Sequence, residues 1–175
     1  MEYEIGKYSI VEENVLIGKN VKIGCYTRIM PGTIIGDNTV IMDYVKLMPD
    51  TKIGSNCRLD DYVTTSGYVL IGDHVRIKRC TMIGQAVKIE DDAWIGSHVC
   101  TTRIKYPKVI AEEDEKEEWI NIGKKSMIGS GALILAGVSI EEGVIIGAGS
   151  LVTKNCEKNG LYVGRPAKLV RTRDV

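Results

Sequence analysis

Branched aliphatic residues recur at every sixth position along most of this chain. The series runs from Ile5 and Val11 to Thr101, resumes at Ile122 and ends at Val152. A small or β-branched residue usually stands two positions earlier, and glycine often stands one position later. A helix would bury a stripe with a period of about 3.6 residues, and one long strand would alternate with a period of about two. The pattern therefore predicts very short strands joined by glycine-rich turns.

The six-residue repeat builds into a repeat of eighteen. The segment Ile29-Met30-Pro31-Gly32 recurs eighteen residues later as Leu47-Met48-Pro49-Asp50, and again as Ile134-Leu135-Ala136-Gly137 after an insertion. Three short strands that close a triangular coil use eighteen residues. The chain is therefore predicted to be an all-β protein, a parallel β-helix of hexapeptide repeats with about eight coils.

The prediction divides the chain into a regular prism and two exceptions. The β-helix is expected to span residues 1–156, interrupted by an extruded loop at residues 102–121. The segment Glu112–Glu118 within this loop is almost wholly acidic, which fits either a solvated loop or a wall of a site. Residues 157–175 are expected to form a cap with a short strand and a short helix, because the open end of a solenoid must be covered.

Two corners of the coil are expected to carry columns of similar residues. Asparagine, aspartate and histidine tolerate the positive φ that tight corners need, and coils about 4.8 Å apart let side chains touch along a column. One column holds Asn20, Asn38, Asn56, His74 and Asp92, and the other holds Tyr26, Tyr44, Tyr62, Cys80 and His98.

Composition narrows the function classes. Lysine plus arginine number 23 and aspartate plus glutamate also number 23, which argues against a basic nucleic-acid surface. The apolar runs fall far short of the ~20 residues of a membrane span, and the start resembles no signal peptide. The five cysteines form no C-x-x-C pair and fit reduced thiols. We expect a cytoplasmic protein without a nucleic-acid or membrane partner.

Two motifs close to the C-terminus carry a family signal. They read Gly147-Ala148-Gly149-Ser150-Leu151-Val152-Thr153-Lys154 and Gly164-Arg165-Pro166-Ala167-Lys168. Together with the repeat, which covers essentially the whole chain, they resemble the hexapeptide-repeat acyltransferase superfamily. The resemblance implies a left-handed β-helix, a homotrimer with active sites between adjacent subunits, and acetyl-CoA as the donor.

The motif match also implies residues that bind the donor. Backbone groups of Gly131, Ala136 and Ala148 would contact the pantetheine arm. Toward the nucleotide end, where CoA carries phosphates that attract cationic side chains, the resemblance places Thr153, Lys154, Arg165 and Lys168.

A narrower resemblance concerns the entry of the loop. The stretch Val99-Cys100-Thr101-Thr102-Arg103-Ile104-Lys105-Tyr106-Pro107-Lys108 is similar to acetyltransferases that act on nucleotide-linked amino sugars, which often show V-x-F-T-N-x-x-x-P-R. Arg103 replaces the asparagine that helps to place the acceptor in that group. Arg103, Tyr106 and Trp119 are the predicted acceptor-binding residues.

The chain has two histidines as candidates for a general base. His98 is the last residue of the tyrosine column and lies three residues before Thr101, where the six-residue repeat is interrupted. It is the predicted catalytic base. A packed corner histidine is the alternative for His98, and an amine acceptor can react without a side-chain base. His74 replaces asparagine in its column and is interpreted as structural.

Three functions remain open at this stage. The first is an acetyl-CoA-dependent acetyltransferase acting on the amine of an amino sugar, with a nucleotide-linked sugar favoured. The second is O-acetylation of a sugar or small alcohol. The third is a γ-type carbonic anhydrase or a non-catalytic scaffold. A zinc site with three histidines cannot be built from His74 and His98, so no metal is expected, and a scaffold leaves the two C-terminal motifs unexplained.

Overall fold

The computed structural model describes residues 3–104 and 118–173. Predicted Tyr106 and most of the acidic segment lie outside these ranges. Across the described ranges, no helix is long and apolar enough to cross a bilayer. The described residues form the strands β1 (Tyr3–Ile5), β2 (Ile10–Val11), β3 (Leu16–Ile17), β4 (Val21–Ile23), β5 (Arg28–Ile29), β6 (Ile34–Ile35), β7 (Val40–Ile41), β8 (Lys46–Leu47), β9 (Lys52–Ile53), β10 (Arg58–Leu59), β11 (Thr64–Thr65), β12 (Val69–Ile71), β13 (Arg76–Ile77), β14 (Met82–Ile83), β15 (Val87–Ile89), β16 (Trp94–Ile95), β17 (Cys100–Thr101), β18 (Ile120–Ile122), β19 (Met127–Ile128), β20 (Leu133–Ile134), β21 (Ser139–Ile140), β22 (Ile145–Ile146), β23 (Leu151–Val152), β24 (Gly160–Gly164) and β25 (Ala167–Thr172).

From β1 to β23 every third strand joins the same sheet, which confirms the predicted β-solenoid. Sheet A contains β1, β4, β7, β10, β13, β16, β19, β22, β24 and β25; sheet B contains β2, β5, β8, β11, β14, β17, β20 and β23; sheet C contains β3, β6, β9, β12, β15, β18 and β21. Pairing is parallel with a step of eighteen residues, as between Arg58 and Arg76. Across the insertion the step is 33, as between Val87 and Ile120, so the loop changes no strand's face.

The insertion is shorter at its end than expected. It leaves from the corner between sheets B and C after β17 and rejoins the prism at β18. Ile120 is fully buried and pairs with Val87, so the last two residues of the predicted loop are already part of sheet C. The inward packing of Ile120 explains the earlier end, because burying an isoleucine stabilises by roughly 1.5–3 kcal/mol.

The sixth-position residues fill the interior of the prism. Ile29, Leu47 and Ile83 are each 0% exposed. Two positions earlier, buried threonine hydroxyls donate to backbone carbonyls of the next coil, as from Thr27 to Met42 at 2.9 Å and from Thr81 to Gly96 at 2.7 Å. These bonds satisfy polar groups that would otherwise be costly to bury.

Both predicted corner columns are present, and every member has positive φ. The C–A corner column has φ between 54° and 59° at Asn20, Asn38, Asn56, His74 and Asp92. The A–B corner column starts one coil earlier than predicted and reads Tyr8, Tyr26, Tyr44, Tyr62, Cys80, His98, Gly131 and Gly149. Its four tyrosines stack with ring centroids 4.9–5.0 Å apart.

The expected helix in the cap is wrong, because the cap is a β-hairpin. β24 continues sheet A parallel to β22, and β25 returns antiparallel to β24. Gly164, with φ of 108°, and Pro166 reverse the chain too tightly for a helix to begin, because proline restricts the residue before it. Tyr162 is 8% exposed, covers the end of the core and pairs with Leu169.

The cysteines are all free and differ sharply in exposure. Cys57 and Cys156 are buried, whereas Cys80 is exposed. Burial raises the pKa of the Cys156 thiol to about 12. A thiol reacts through its thiolate, so Cys156 is chemically inert near neutral pH.

Thiol labelling tests this difference. At about pH 8, Cys80 is expected to react first with a disulfide reagent, and Cys156 only after denaturation, because its thiolate is scarce and its sulfur is enclosed. Mass spectrometry of partly labelled native protein identifies the sites, and Cys80→Ser should remove the fastest phase. Early labelling of Cys156 would mean that the cap opens readily and would contradict the packed end described here.

Candidate active site

The predicted base and part of the predicted donor site share one edge of the prism. His98, Gly131 and Gly149 occupy the same position of successive coils on the A–B corner. The Gly131 amide donates to the Ser97 carbonyl at 2.8 Å, and the Gly149 amide donates to the Ser130 carbonyl at 2.8 Å. The structure thus places Gly131 one coil from His98, and Ala148, the neighbour of Gly149, one coil further along the same edge.

This edge is bare beyond His98. A Cβ built on Gly149 meets no atom within 4 Å, and one built on Gly131 meets only Gly149 at 4.0 Å. Ala148 is exposed and adds only a methyl group. We call Gly131, Ala148 and Gly149 the glycine track. Because no large side chain covers it, a narrow extended ligand can lie directly against the backbone.

The turn of the cap hairpin lies at the end of the track. The Gly164 amide donates to the Ser150 hydroxyl at 3.1 Å, and Val163 lies against Gly147. Arg165 follows in the turn. Lys168, on β25, pairs with Val163 on β24. Both cationic side chains are exposed, so the end of the track remote from His98 is positively charged.

The other predicted donor residues lie across sheet B, at the B–C corner. Ala136 is fully buried, and its amide donates to the Thr102 hydroxyl at 3.0 Å. With 0% of its surface exposed, Ala136 offers no accessible backbone group to a donor within one subunit. Thr153 and Lys154 follow one coil later at the same corner. One prism therefore presents the predicted donor residues on two different edges.

The ends of the insertion are attached at this B–C corner. Gly137 donates its amide to the Glu118 carbonyl at 3.2 Å, next to the exposed Trp119. Arg103, on the outgoing side, is also exposed. The structure thus brings Arg103 and Trp119 to the corner that carries Ala136, and not to the corner that carries His98.

The outer surface beside the track is apolar, which the sequence analysis missed. The position before each sixth residue points outward, and in the first coils of sheets A and B these positions are mostly charged. From the middle of the prism onward, sheet B carries Met82, Cys100, Leu133 and Leu151 in register, and sheet A carries Trp94, Met127, Ile145 and Leu161. We call these the apolar strips. Their signal is present in the repeat, as a switch from charged to apolar residues one place before the sixth position.

Charged groups elsewhere on the corners have structural partners. Asp60 is buried, and its carboxylate accepts from Arg58 Nε at 2.8 Å and from Lys78. Burial acts to raise the pKa of Asp60, but the bonds from Lys78 and Arg58 outweigh it and hold that pKa below its usual range. His74 Nδ1 lies 3.6 Å from Asp92, which agrees with its structural interpretation.

Comparison with known proteins identifies the repeat. A family model described as bacterial transferase hexapeptide (six repeats) matches residues 32–67 and 120–154, and a hexapeptide repeat of succinyl-transferase matches residues 8–42. A Staphylococcus aureus protein named "Putative acetyltransferase" is 48% identical over 60 residues, which is 34% of this chain and 30% of that protein. The chain spans less than half the length of the first curated relatives that it matches.

Solved structures share the fold at low sequence identity. A UDP-N-acetylglucosamine acyltransferase of Francisella novicida is 18% identical with a TM-score of 0.73, over 92% of this chain and 67% of its own. Perosamine N-acetyltransferase of Caulobacter crescentus, in complex with CoA and GDP-perosamine, is 18% identical with a TM-score of 0.51, over 95% of this chain and 56% of its own.

Proposed function

Because the chain belongs to the hexapeptide-repeat acyltransferase superfamily, we propose that it transfers an acetyl group from acetyl-CoA to the amine of a nucleotide-linked amino sugar. The observation that carries the proposal is the glycine track, which runs along one edge from His98 to the cationic turn at Arg165. The acetyltransferase name of the Staphylococcus aureus relative supports the reaction class. The CoA and GDP-perosamine of the Caulobacter crescentus complex support the donor and the acceptor class.

The track suits the chemistry of the donor. Pantetheine is a narrow chain with two amides, which can lie on exposed backbone where Gly149 leaves at least 4 Å of space for a Cβ. The phosphates of CoA would meet Arg165 and Lys168 in the cap. This orientation directs the thioester toward His98, at the opposite end of the track.

The other predicted donor residues require a second subunit in this proposal. Ala136, Thr153 and Lys154 lie on the B–C corner, across sheet B from the track. In a homotrimer, that corner of one subunit can face the track of its neighbour, because a heterologous interface closes into a ring. Arg103 and Trp119, at the two ends of the insertion, would then lie near the acceptor on the neighbour's track. The apolar strips supply the surface that such packing would bury.

The proposed reaction moves one proton from the acceptor nitrogen to the leaving sulfur. The acceptor amine attacks the thioester carbonyl carbon, a C–N bond forms and the C–S bond breaks. His98 accepts the proton that the nitrogen loses and passes it to the sulfur, which leaves as the thiol of CoA. A hydroxyl acceptor could use the same base, so the position of His98 at the end of the track also keeps O-acetylation as the second candidate.

A thiol-release assay tests the proposal. Acetyl-CoA is supplied with nucleotide-linked amino sugars, free amino sugars, sugars that carry only hydroxyls, and simple alcohols. Release of CoA with the amino sugars, and an acetamide product by mass spectrometry, is the expected result. Release only with hydroxyl acceptors would select the second candidate. Absence of CoA binding in calorimetry would contradict both.

A single substitution tests the track. Gly149→Asn is expected to raise the KM for acetyl-CoA at least about tenfold, equivalent to about 1.4 kcal/mol, because the new side chain enters the space assigned to pantetheine. Asparagine tolerates the φ of 67° at this position, as it does in the C–A corner column.

The control for this variant is Lys125→Asn, which places the same residue at a φ of 57° on the C–A corner. Its KM for acetyl-CoA should equal that of the wild type. Steady-state kinetics and thermal unfolding of both variants are compared. If the KM for acetyl-CoA were unchanged in Gly149→Asn, the glycine track would not be part of the donor site.

A further inference from the structure

The stack of tyrosines on the A–B corner is interrupted before it reaches His98. Tyr26, Tyr44 and Tyr62 lie with ring planes within 6° of parallel and centroids 4.9–5.0 Å apart. The next coil carries Cys80 in place of a tyrosine, and the coil after it carries His98. We call Tyr8, Tyr26, Tyr44 and Tyr62 the tyrosine ladder.

The backbone is the same at the interruption as along the ladder. The φ values are 61° at Tyr62, 58° at Cys80 and 58° at His98, so the three Cα–Cβ bonds leave the corner in like directions. Consecutive coils are about 4.8 Å apart, which places Tyr62 and His98 roughly 10 Å apart along the edge. Cys80 is exposed and carries only one heavy atom beyond Cβ. The space above it has the height of one missing ring.

We propose that this slot between Tyr62 and His98 binds a planar heteroaromatic ring, the base of a nucleotide. A ring at the level of Cys80 would continue the offset stacking already present in the ladder, and bases stack on aromatic side chains whatever their identity. Arg79, adjacent to Cys80, is exposed, and no ion pair involves it among residues 3–104 and 118–173. Its guanidinium is available to a phosphate.

The place of the slot assigns the ring to the acceptor. CoA and a nucleotide-linked sugar both carry a base, so the slot alone does not say which of them it binds. The assignment to the acceptor therefore rests on the proposed function, which it deepens. The donor phosphates are assigned to Arg165, beyond Gly149, whereas the slot lies on the other side of His98. A base above Cys80 would therefore leave the donor track free and direct the attached sugar toward His98.

The decisive variant is Cys80→Tyr, which fills the slot with the residue that the ladder uses. Because Tyr62 has nearly the same φ, the variant is expected to fold and to unfold at no lower a temperature than the wild type. UMP, dTMP, GMP and AMP are titrated separately while tyrosine ring resonances are followed by NMR. Cys80→Tyr should weaken binding of the acceptor's nucleotide at least about tenfold, since stacking makes a large contribution per base.

Asn56→Tyr is the matched control. It introduces a tyrosine at a φ of 58° in the same coil as Tyr62, but on the C–A corner. Its nucleotide affinity should equal that of the wild type. In the enzyme assay, Cys80→Tyr should raise the KM for the nucleotide-linked acceptor, with the KM for acetyl-CoA as the internal reference.

Three other results would overturn the slot or its assignment to the acceptor, and a fourth would separate the slot from the proposed transfer. Equal nucleotide binding by wild type and Cys80→Tyr would overturn it. If Cys80→Tyr weakened the binding of AMP and CoA only, the base in the slot would belong to the donor, and the acceptor assignment would be overturned. A changed oligomeric state with unchanged nucleotide affinity would mean that a protein side chain occupies the slot. Nucleotide binding that Cys80→Tyr blocks, in a protein that releases no thiol, would support the slot and reject the proposed transfer.

Discussion

Replacing His98 with asparagine is expected to lower kcat by a factor of about 10²–10⁴, the usual contribution of a general base. The KM for acetyl-CoA should change little, because the donor is assigned to the track beyond His98. Asparagine tolerates the φ of 58° at this position, so the variant removes the imidazole without straining the corner. The measurement is the steady-state kcat and the KM for acetyl-CoA of both proteins, with thermal unfolding to confirm that the variant is folded.

His74→Asn is the control for this experiment. His74 has the same φ of 58° on the C–A corner, where Asn20, Asn38 and Asn56 occupy equivalent positions. The variant restores the residue type of that column and should leave kcat unchanged. If His98→Asn also retains wild-type kcat, the acceptor amine reacts without a side-chain base. The fold and the donor site would be unaffected by that result.

Leu133→Glu is expected to separate the proposed trimer into monomers and to abolish acetyl transfer. Leu133 lies at the centre of the apolar strip on sheet B, between Cys100 and Leu151. A carboxylate forced into a packed interface without a partner costs roughly 3–5 kcal/mol, as when one partner of a buried ion pair is removed. Since the proposed site combines the track of one subunit with the insertion of the next, a monomer should have at least about 100-fold lower activity, or 2.7 kcal/mol.

Ser139→Glu provides the matched charge on another face. Ser139 lies in the same coil as Leu133 but points outward from sheet C, where its neighbour in register is the polar Asn121. Light scattering and thiol release are measured on both variants. A wild-type protein that is monomeric and active would contradict the site between subunits. A trimeric Leu133→Glu variant would place the interface on a different face.

The sequence was most informative where the chain is periodic. In a solenoid each residue contacts the one eighteen places away, so a local pattern repeated along the chain already specifies its tertiary neighbours. The inward positions, the two corner columns and the preserved register across the insertion were therefore predictable. The sequence also showed Thr101 as a polar residue at an inward position that is usually aliphatic. Its buried hydroxyl accepts a hydrogen bond from the Gly84 amide at 2.6 Å. The bond satisfies a buried hydroxyl where the loop leaves.

The prediction was wrong or incomplete where the period ends. Residues 157–175 have no repeat to constrain them, and the expected helix is the hairpin of β24 and β25. The insertion was expected to end two residues later than it does. The role of the outward positions was also missed, because the repeat identifies which residues point inward without saying what the outer surface contacts.

The β-solenoid, its three faces and the column that contains His98 follow from the sequence alone, because each of these depends only on the spacing of residue types. What those columns leave open became visible only in the folded chain. It showed that the glycine track and Ala136 lie on opposite edges of sheet B, that the cap places Arg165 at the end of the track, and that Cys80 leaves a ring-sized gap beside His98. These features depend on the absence of atoms between neighbouring coils, which spacing along a chain does not encode.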